Sequence, residues 1–306
     1  MLAYILRRIV FGAAVLIGAS LITFVIAFVI PGDPAVAMAG AKADPQTLAT
    51  IRSQLGLDRP LYVQYARYLD RALHGDLGRS YIRRESVTGL ILDRFPATAI
   101  LALSAMGLAL TLGIALGLIA AAWRDRAADH ALLVAALALI SIPVFWLGTM
   151  LLVVAALWLR SLPLGGFGGW RSLVLPSITL AVGTAGYYSR VLHTNLVDAM
   201  DQEYVRTARG KGLSFARALT RHALANALLP LVTLAGLDIA GMLSGVVLTE
   251  TVFNWPGIGR LAEEAVFNLD VPLIMGTTLF AAFLVVVANL AVDLIYFWLD
   301  PRIRLS

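Results

Sequence analysis

Six stretches of this chain are apolar over the length a helix needs to cross a bilayer, and that feature restricts the fold more than any motif does. The hydrocarbon core is about 30 Å thick and a helix rises about 1.5 Å per residue, so a crossing takes about 20 mostly apolar residues. The runs cover residues 9–30, 96–122, 131–158, 173–192, 224–248 and 272–299. Inside a bilayer every backbone polar group must be satisfied within the segment, so runs of this length are expected as helices. Composition agrees: 59% of the 306 residues are hydrophobic and only 14% are charged, more apolar surface than a soluble domain of this size can hide. The formal net charge of +5 invites a nucleic-acid reading, but the basic residues flank the apolar runs, as they do in membrane proteins. No nucleic-acid partner is expected. There is no cysteine, which excludes disulfides and thiolate chemistry.

The first run follows Arg7-Arg8 and ends at Pro31-Gly32-Asp33-Pro34. It is longer than the 7–15 apolar residues of a signal peptide, so it reads as a retained anchor. The small residues Ala35-Val36-Ala37 are the one feature there that suits a cleavage site. Orientation follows from the short connections. One side collects Arg7, Arg8, Arg124, Arg126, Arg190, Arg206, Arg209, Lys211, Arg217, Arg221, Arg302 and Arg304; the other offers Arg160, Arg171 and Arg260. The excess of positive charge on cytoplasmic loops places both termini in the cytoplasm. The chain then divides into an N-terminal anchor (1–30), an extracytoplasmic helical segment (31–95) and a five-helix core (96–306) with a cytoplasmic loop near 200–222.

Pro143 and Pro230 fall inside apolar runs, and Gly113/Gly117 and Gly241/Gly245 are spaced four apart, as pairs that let helix backbones approach closely. In the outer segment, Asp44-Pro45 predicts a capped helix start, with a stop at Gly56. Residues 61–73 place Leu61, Tyr62, Tyr65, Tyr68, Leu69 and Leu73 at helical spacing, with Arg67, Asp70 and Arg71 toward water. This segment reads as a small helical cap that docks a partner or guards a pore mouth.

The loop between the fourth and fifth runs is too polar to span and too patterned to be a turn. It predicts a short helix, a glycine turn at Gly210 and Gly212, and a second helix leading back into the membrane. Tyr204, Ala208, Phe215 and Leu219 are its apolar residues, and they read as contacts for a partner surface.

That loop carries a resemblance. The stretch Glu203-Tyr204-Val205-Arg206-Thr207-Ala208-Arg209-Gly210-Lys211-Gly212-Leu213, followed by Arg221-His222-Ala223-Leu224-Ala225-Asn226-Ala227-Leu228-Leu229-Pro230, resembles the coupling-loop signature of bacterial ABC-importer permeases, closest to the oligopeptide and dipeptide branch. The likeness extends along the chain. It includes Leu2 to Arg8 with Thr23-Phe24, Pro31-Gly32-Asp33-Pro34, Leu55-Gly56-Leu57-Asp58-Arg59-Pro60 and Gly75-Asp76-Leu77-Gly78-Arg79-Ser80. It continues through Glu250-Thr251-Val252-Phe253-Asn254-Trp255-Pro256-Gly257-Ile258-Gly259-Arg260 to Leu299-Asp300-Pro301-Arg302-Ile303-Arg304. Arg206-Thr207-Ala208 stands where the broadest signature has Glu-Ala-Ala, as in the peptide branch, and Gly210 replaces a more usual Ala.

The resemblance implies a type I ABC-importer permease fold, all-α with six transmembrane helices, in the bacterial inner membrane. It implies a sister permease subunit, two ATPase subunits and an extracytoplasmic substrate-binding protein as partners, with di- or oligopeptides as cargo and nickel or glutathione as alternatives. The chain has no Gly-x-x-x-x-Gly-Lys-Ser/Thr loop, so no ATP site or other cofactor is expected on it; ATP and Mg belong to the partner subunits. No metal site and no catalytic residue are expected. Ionisable residues inside apolar runs are functional suspects, which singles out Asp238, Glu250 and Asp293, with Asn289 four residues before Asp293 on the same face. Asp238 reads as a contact for ligand or sister subunit, and Asp293 as a tie between helices near the inner surface. Two other classes match the sequence less well. A gradient-driven secondary transporter calls for inverted repeats and midplane charges, and only Asp238 fits. An intramembrane hydrolase needs His-Glu-x-x-His or Gly-x-Ser-x-Gly, and neither occurs.

Overall fold

The computed structural model describes residues 2–29, 35–36, 44–159 and 161–299. The Pro31–Pro34 turn, Arg160 and the closing Asp300–Arg304 segment of the sequence reading lie outside them. The described chain is helical almost throughout: α1 (Leu2–Val29), α2 (Pro45–Leu55), α3 (Leu61–Leu73), α4 (Val87–Ala122), α5 (Ala127–Ser141), α6 (Val144–Trp158) and α7 (Trp170–Met200). Then come α8 (Glu203–Gly210), α9 (Phe215–Arg217), a π-helical turn (Ala218–Ala223), α10 (Leu224–Leu243), α11 (Val247–Val252), α12 (Ile258–Phe267) and α13 (Val271–Leu299).

Among the described residues, four stretches are long and apolar enough to cross a membrane alone: Leu6–Ile26, Val87–Ala122, Phe215–Leu243 and Val271–Asp293. The third expected span is not one straight helix. It breaks between Ser141 and Val144 into α5 and α6, which meet at 97°. Pro143 has no N–H to continue the ladder and forces Ile142 into extended backbone (ψ 123°). The fourth, α7, is 31 residues long, or about 46 Å. It is less apolar than the others because it is the most enclosed. Buried Thr179 and Ser189 return their hydroxyls to the helix's own carbonyls of Leu175 (2.9 Å) and Gly186 (2.8 Å), so small polar residues are tolerated there.

The second span begins at Val87, capped by the Ser86 hydroxyl, rather than at Pro96, and Pro96 rides inside it. The fifth ends at Leu243, short of the expected 248, where the chain turns through Gly245 (φ +111°). The two glycine pairs therefore differ. A Cβ on Gly113 would stand 2.7 Å from the Cβ of Tyr188, and one on Gly117 2.9 Å from the Ser189 carbonyl, so this pair does bring α4 against α7. Gly241 faces open space, and Gly245 lies past the helix end, where a Cβ would stand 2.7 Å from the Gly259 backbone at the start of α12, so the second pair does not act as a helix-packing unit.

The core follows from that close approach: Leu101, Ala105, Met106 and Ala109 of α4 pack with Ala181 and Tyr188 of α7 and Leu231 of α10. Long-range contacts define two faces. On one, Arg124 after α4 reaches Asp201 after α7 (3.0 Å), and Arg8 of α1 reaches Asp293 of α13 (2.7 Å). On the other, buried Asp270 accepts from the Ser80 hydroxyl and the Tyr81 N–H (3.1 Å), Arg83 pairs with Glu264 (2.6 Å), and the Gly166 N–H donates to the Phe253 carbonyl (2.9 Å). The bent α5–α6 pair and α7 each run from one face to the other, as do α1, α4, α10 and α13. The expected α2 and α3 form where the sequence places them: Asp44 accepts from the Thr47 N–H (2.5 Å), and Gly56 ends α2 in left-handed backbone (φ 68°).

Candidate functional site

Residues 203–213 form an elbow on the Arg124–Asp201 face. The elbow is α8 plus a glycine turn. Val205 and Ala208, three apart and therefore on one side of α8, are buried against the π-helical turn below. Leu219, Ala223 and Ala227 complete that support with Leu192, Leu196 and Ala199 of α7. Arg206, Thr207, Arg209, Gly210, Lys211 and Gly212 are exposed, Glu203 opens α8 at the surface, and Leu213 is half-buried. The turn closes with Gly212 N–H to the Arg209 carbonyl (2.9 Å) and Leu213 N–H to the Ala208 carbonyl (3.3 Å). Gly212 sits at φ +92°, a conformation that side-chain-bearing residues adopt at a cost. Its missing Cβ would meet nothing in this chain.

The loop's apolar residues divide. Ala208 and Leu219 enter this chain's own core, contrary to the expectation that they serve a partner surface. Tyr204 and Phe215 remain 42% exposed. Tyr204 accepts from the Asn226 side chain (2.9 Å), and the Arg209 guanidinium lies 5.8 Å from the centre of the Phe215 ring. Val205, fully buried, is the hook that sequence reasoning missed; its signal was the Val205/Ala208 spacing.

The ionisable candidates do not converge. Asp238, on α10, accepts the hydroxyl of fully buried Tyr188 (2.7 Å), which ties α10 to α7 in the core. Asp293 takes Arg8 on one oxygen, while its other oxygen is buried with no partner. Asn289 is half-buried one turn away. Glu250 is fully buried on the opposite face. It accepts the Thr98 hydroxyl (2.8 Å) and the Arg260 N–H (2.9 Å), while Thr98 accepts the Ile258 N–H (2.8 Å). The carboxylate thus caps the N-terminus of α12 from a distance, where backbone N–H groups are otherwise unsatisfied. Burial pushes the Glu250 carboxyl up, against the pull of those hydrogen bonds. A Cβ on Gly257 would run into it.

Sequence reasoning also missed a buried pair, Asp129 of α5 and His193 of α7. Asp129 Oδ1 and His193 Nε2 stand 3.1 Å apart without forming a hydrogen bond, and the other Asp129 oxygen accepts the Asp125 N–H. Among the described residues, no group of three or more His, Cys, Asp or Glu side chains is placed to hold a metal ion.

Residues 113–305 match the family described as binding-protein-dependent transport system inner membrane component, and residues 1–102 match that system's N-terminal membrane component. The chain belongs to this family. It is a multi-pass inner membrane protein and a permease subunit of an ABC importer, not an enzyme. It is 38% identical over 304 residues, 99% of each chain, to the glutathione transport system permease protein GsiC of Salmonella paratyphi A. It is 39% identical to the probable D,D-dipeptide transport system permease protein DdpB of Escherichia coli K12, covering 98% of this chain and 97% of that one. In fold it resembles a chain of the MetNI methionine ABC transporter, with a TM-score of 0.54 at 16% identity over 69% of this chain and 96% of that chain.

Proposed function

We propose that this permease forms half of a pathway that carries short peptides inward, and that residues 203–213 receive the movement of a separate ATPase subunit. The supporting observation is the elbow itself. Its arginines, Lys211 and Phe215 stand clear of the bundle and Tyr204 is 42% exposed, while Val205 and Ala208 root it against the π-helical turn and α7. A push on the exposed side is delivered to helices whose other ends reach the opposite face. Positive charge concentrates on the elbow's face, so that face is cytoplasmic, with both termini, and Glu250, Asp270 and α2–α3 are extracytoplasmic.

The assembly in this reading is the chain with a sister permease, two ATPase subunits that hold ATP and Mg, and an extracytoplasmic binding protein. ATP closure of the ATPase pair biases a two-state bundle toward opening away from the cytoplasm. Asp238 and Asp293 serve the bundle, through Tyr188 and Arg8, rather than the cargo. Peptide as cargo draws support from relatives named for glutathione, itself a tripeptide, and for D,D-dipeptides.

The test is ATP hydrolysis by the purified complex in liposomes with its binding protein, challenged with dipeptides, oligopeptides, glutathione and nickel. Stimulation by peptides or glutathione is expected. Stimulation by nickel alone would overturn the cargo and leave the machine.

A further inference from the structure

Helix α3 is amphipathic, and its apolar face is only partly covered: Tyr65 and Tyr68 are half-buried, while Leu61, Tyr62 and Leu73 stand open. Leu61 is 54% exposed, Tyr62 76% and Leu73 85%, and no residue of the helix is buried. Tyr62, Leu69 and Leu73 share one side with Tyr65, while Arg67, Asp70 and Arg71 occupy the other and are exposed.

The position of Tyr65 sets the height of this helix. Its hydroxyl lies 2.9 Å from that of buried Ser20 and donates toward the Ile17 carbonyl (3.3 Å), and its ring packs against Phe24 at 5.2 Å. All three partners belong to α1, whose apolar window is Leu6–Ile26. Ile17 lies about 13 Å along the helix from the Ile26 end, close to half the thickness of a hydrocarbon core. That is farther than a tyrosine side chain can bridge, so the Tyr65 backbone lies below the end of the apolar window. On the other flank, the chain just after α3 packs on the first turns of α13: a Cβ on Gly78 would stand 3.7 Å from the Cβ of Pro272, and one on Gly276 3.4 Å from that of Leu77. The neighbouring surface of α1 is apolar and open, with Ile17, Leu21, Ile22, Val25 and Ile26 each 46–62% exposed.

We propose that α3 lies in the membrane interface, with its Tyr62, Leu69 and Leu73 side in the boundary between headgroups and acyl chains. Arg67, Asp70 and Arg71 then face the headgroups and water. The occupant of the open face is lipid, in the leaflet on the side opposite the elbow. Interfacial helices bury their apolar face about 5–10 Å into this boundary, and tyrosine is a residue enriched there. The helix is a float beside the anchor α1 rather than a cap over a pore, and its place does not depend on the cargo.

This chain has no cysteine, so each single-cysteine variant carries one labelling site on it, and any cysteines of the partner subunits are replaced beforehand. Tyr62→Cys, Leu69→Cys, Leu73→Cys, Arg67→Cys and Asp70→Cys would be labelled in the intact transporter reconstituted in liposomes. Ile22→Cys on α1 supplies the lipid-exposed reference. Relaxation by oxygen, which partitions into lipid, is compared with relaxation by a water-soluble nickel chelate. The proposal expects oxygen to dominate at 62, 69 and 73, as at 22, and the chelate to dominate at 67 and 70. Chelate access at 62 and 73 would overturn it in favour of a water-exposed cap. Shielding from both reagents would overturn it in favour of a protein partner on that face.

Discussion

Replacing Glu250 separates a structural cap from a cargo contact. Its carboxylate accepts the Thr98 hydroxyl and the Arg260 N–H with no exposed surface, so Glu250→Ala removes two hydrogen bonds to a charged group. Each is worth about 1.5–3 kcal/mol, which sums to about 3–6 kcal/mol. Glu250→Gln keeps an acceptor for the Arg260 N–H but turns a donor toward Thr98, so it should lose about half of that range. Thr98→Val leaves the Ile258 N–H without its acceptor and should resemble Glu250→Gln. Because the two side chains share one network, the Thr98→Val, Glu250→Gln double variant should fall well short of the summed single losses. The assay is the melting temperature of the purified complex in detergent, with peptide uptake measured beside it. Additive losses, or an Ala variant that melts with the wild type while losing uptake, would refute the cap and return Glu250 to the pathway.

Three further outcomes are expected. Gly212→Asp should assemble normally yet hydrolyse ATP without moving peptide. Within this chain it meets only the left-handed backbone cost of about 1–2 kcal/mol, so its main effect falls on the partner; parallel uptake and ATPase assays check this, and wild-type uptake would remove the elbow from coupling. Gly113→Val should lower the complex's melting temperature, at a cost of about 1–3 kcal/mol or more, because its side chain enters the space of Tyr188. Tyr188→Phe leaves the Asp238 carboxylate without its donor and should cost about 1–3 kcal/mol in the same melt, with the peptide preference of uptake unchanged; a changed preference would make Asp238 a cargo contact.

Much of this was legible in the chain because the signals are local. The apolar runs, the Asp44 and Gly56 caps and the glycine turn at 212 each depend on residues within a helical turn or two. The partners that define the buried carboxylates are not local. Thr98 lies 152 residues from Glu250, and Ser80 lies 190 from Asp270, so Glu250 read only as a suspicious charge and Asp270 not at all. The sharp break at Pro143 was not legible for a different reason: proline is tolerated within α4, α7 and α10, and only packing shows which proline ends a helix. Ala208 and Leu219 looked like partner contacts because the core that receives them comes from α7, just before the loop, and α10, just after it.

The most direct test of the central claim is labelled-peptide uptake into liposomes holding the complete complex and its binding protein, with ATP on the elbow's side and the proton and sodium gradients collapsed. The account predicts uptake that requires ATP and persists without either gradient. Uptake that follows a gradient and ignores ATP would contradict it and make the chain a secondary transporter.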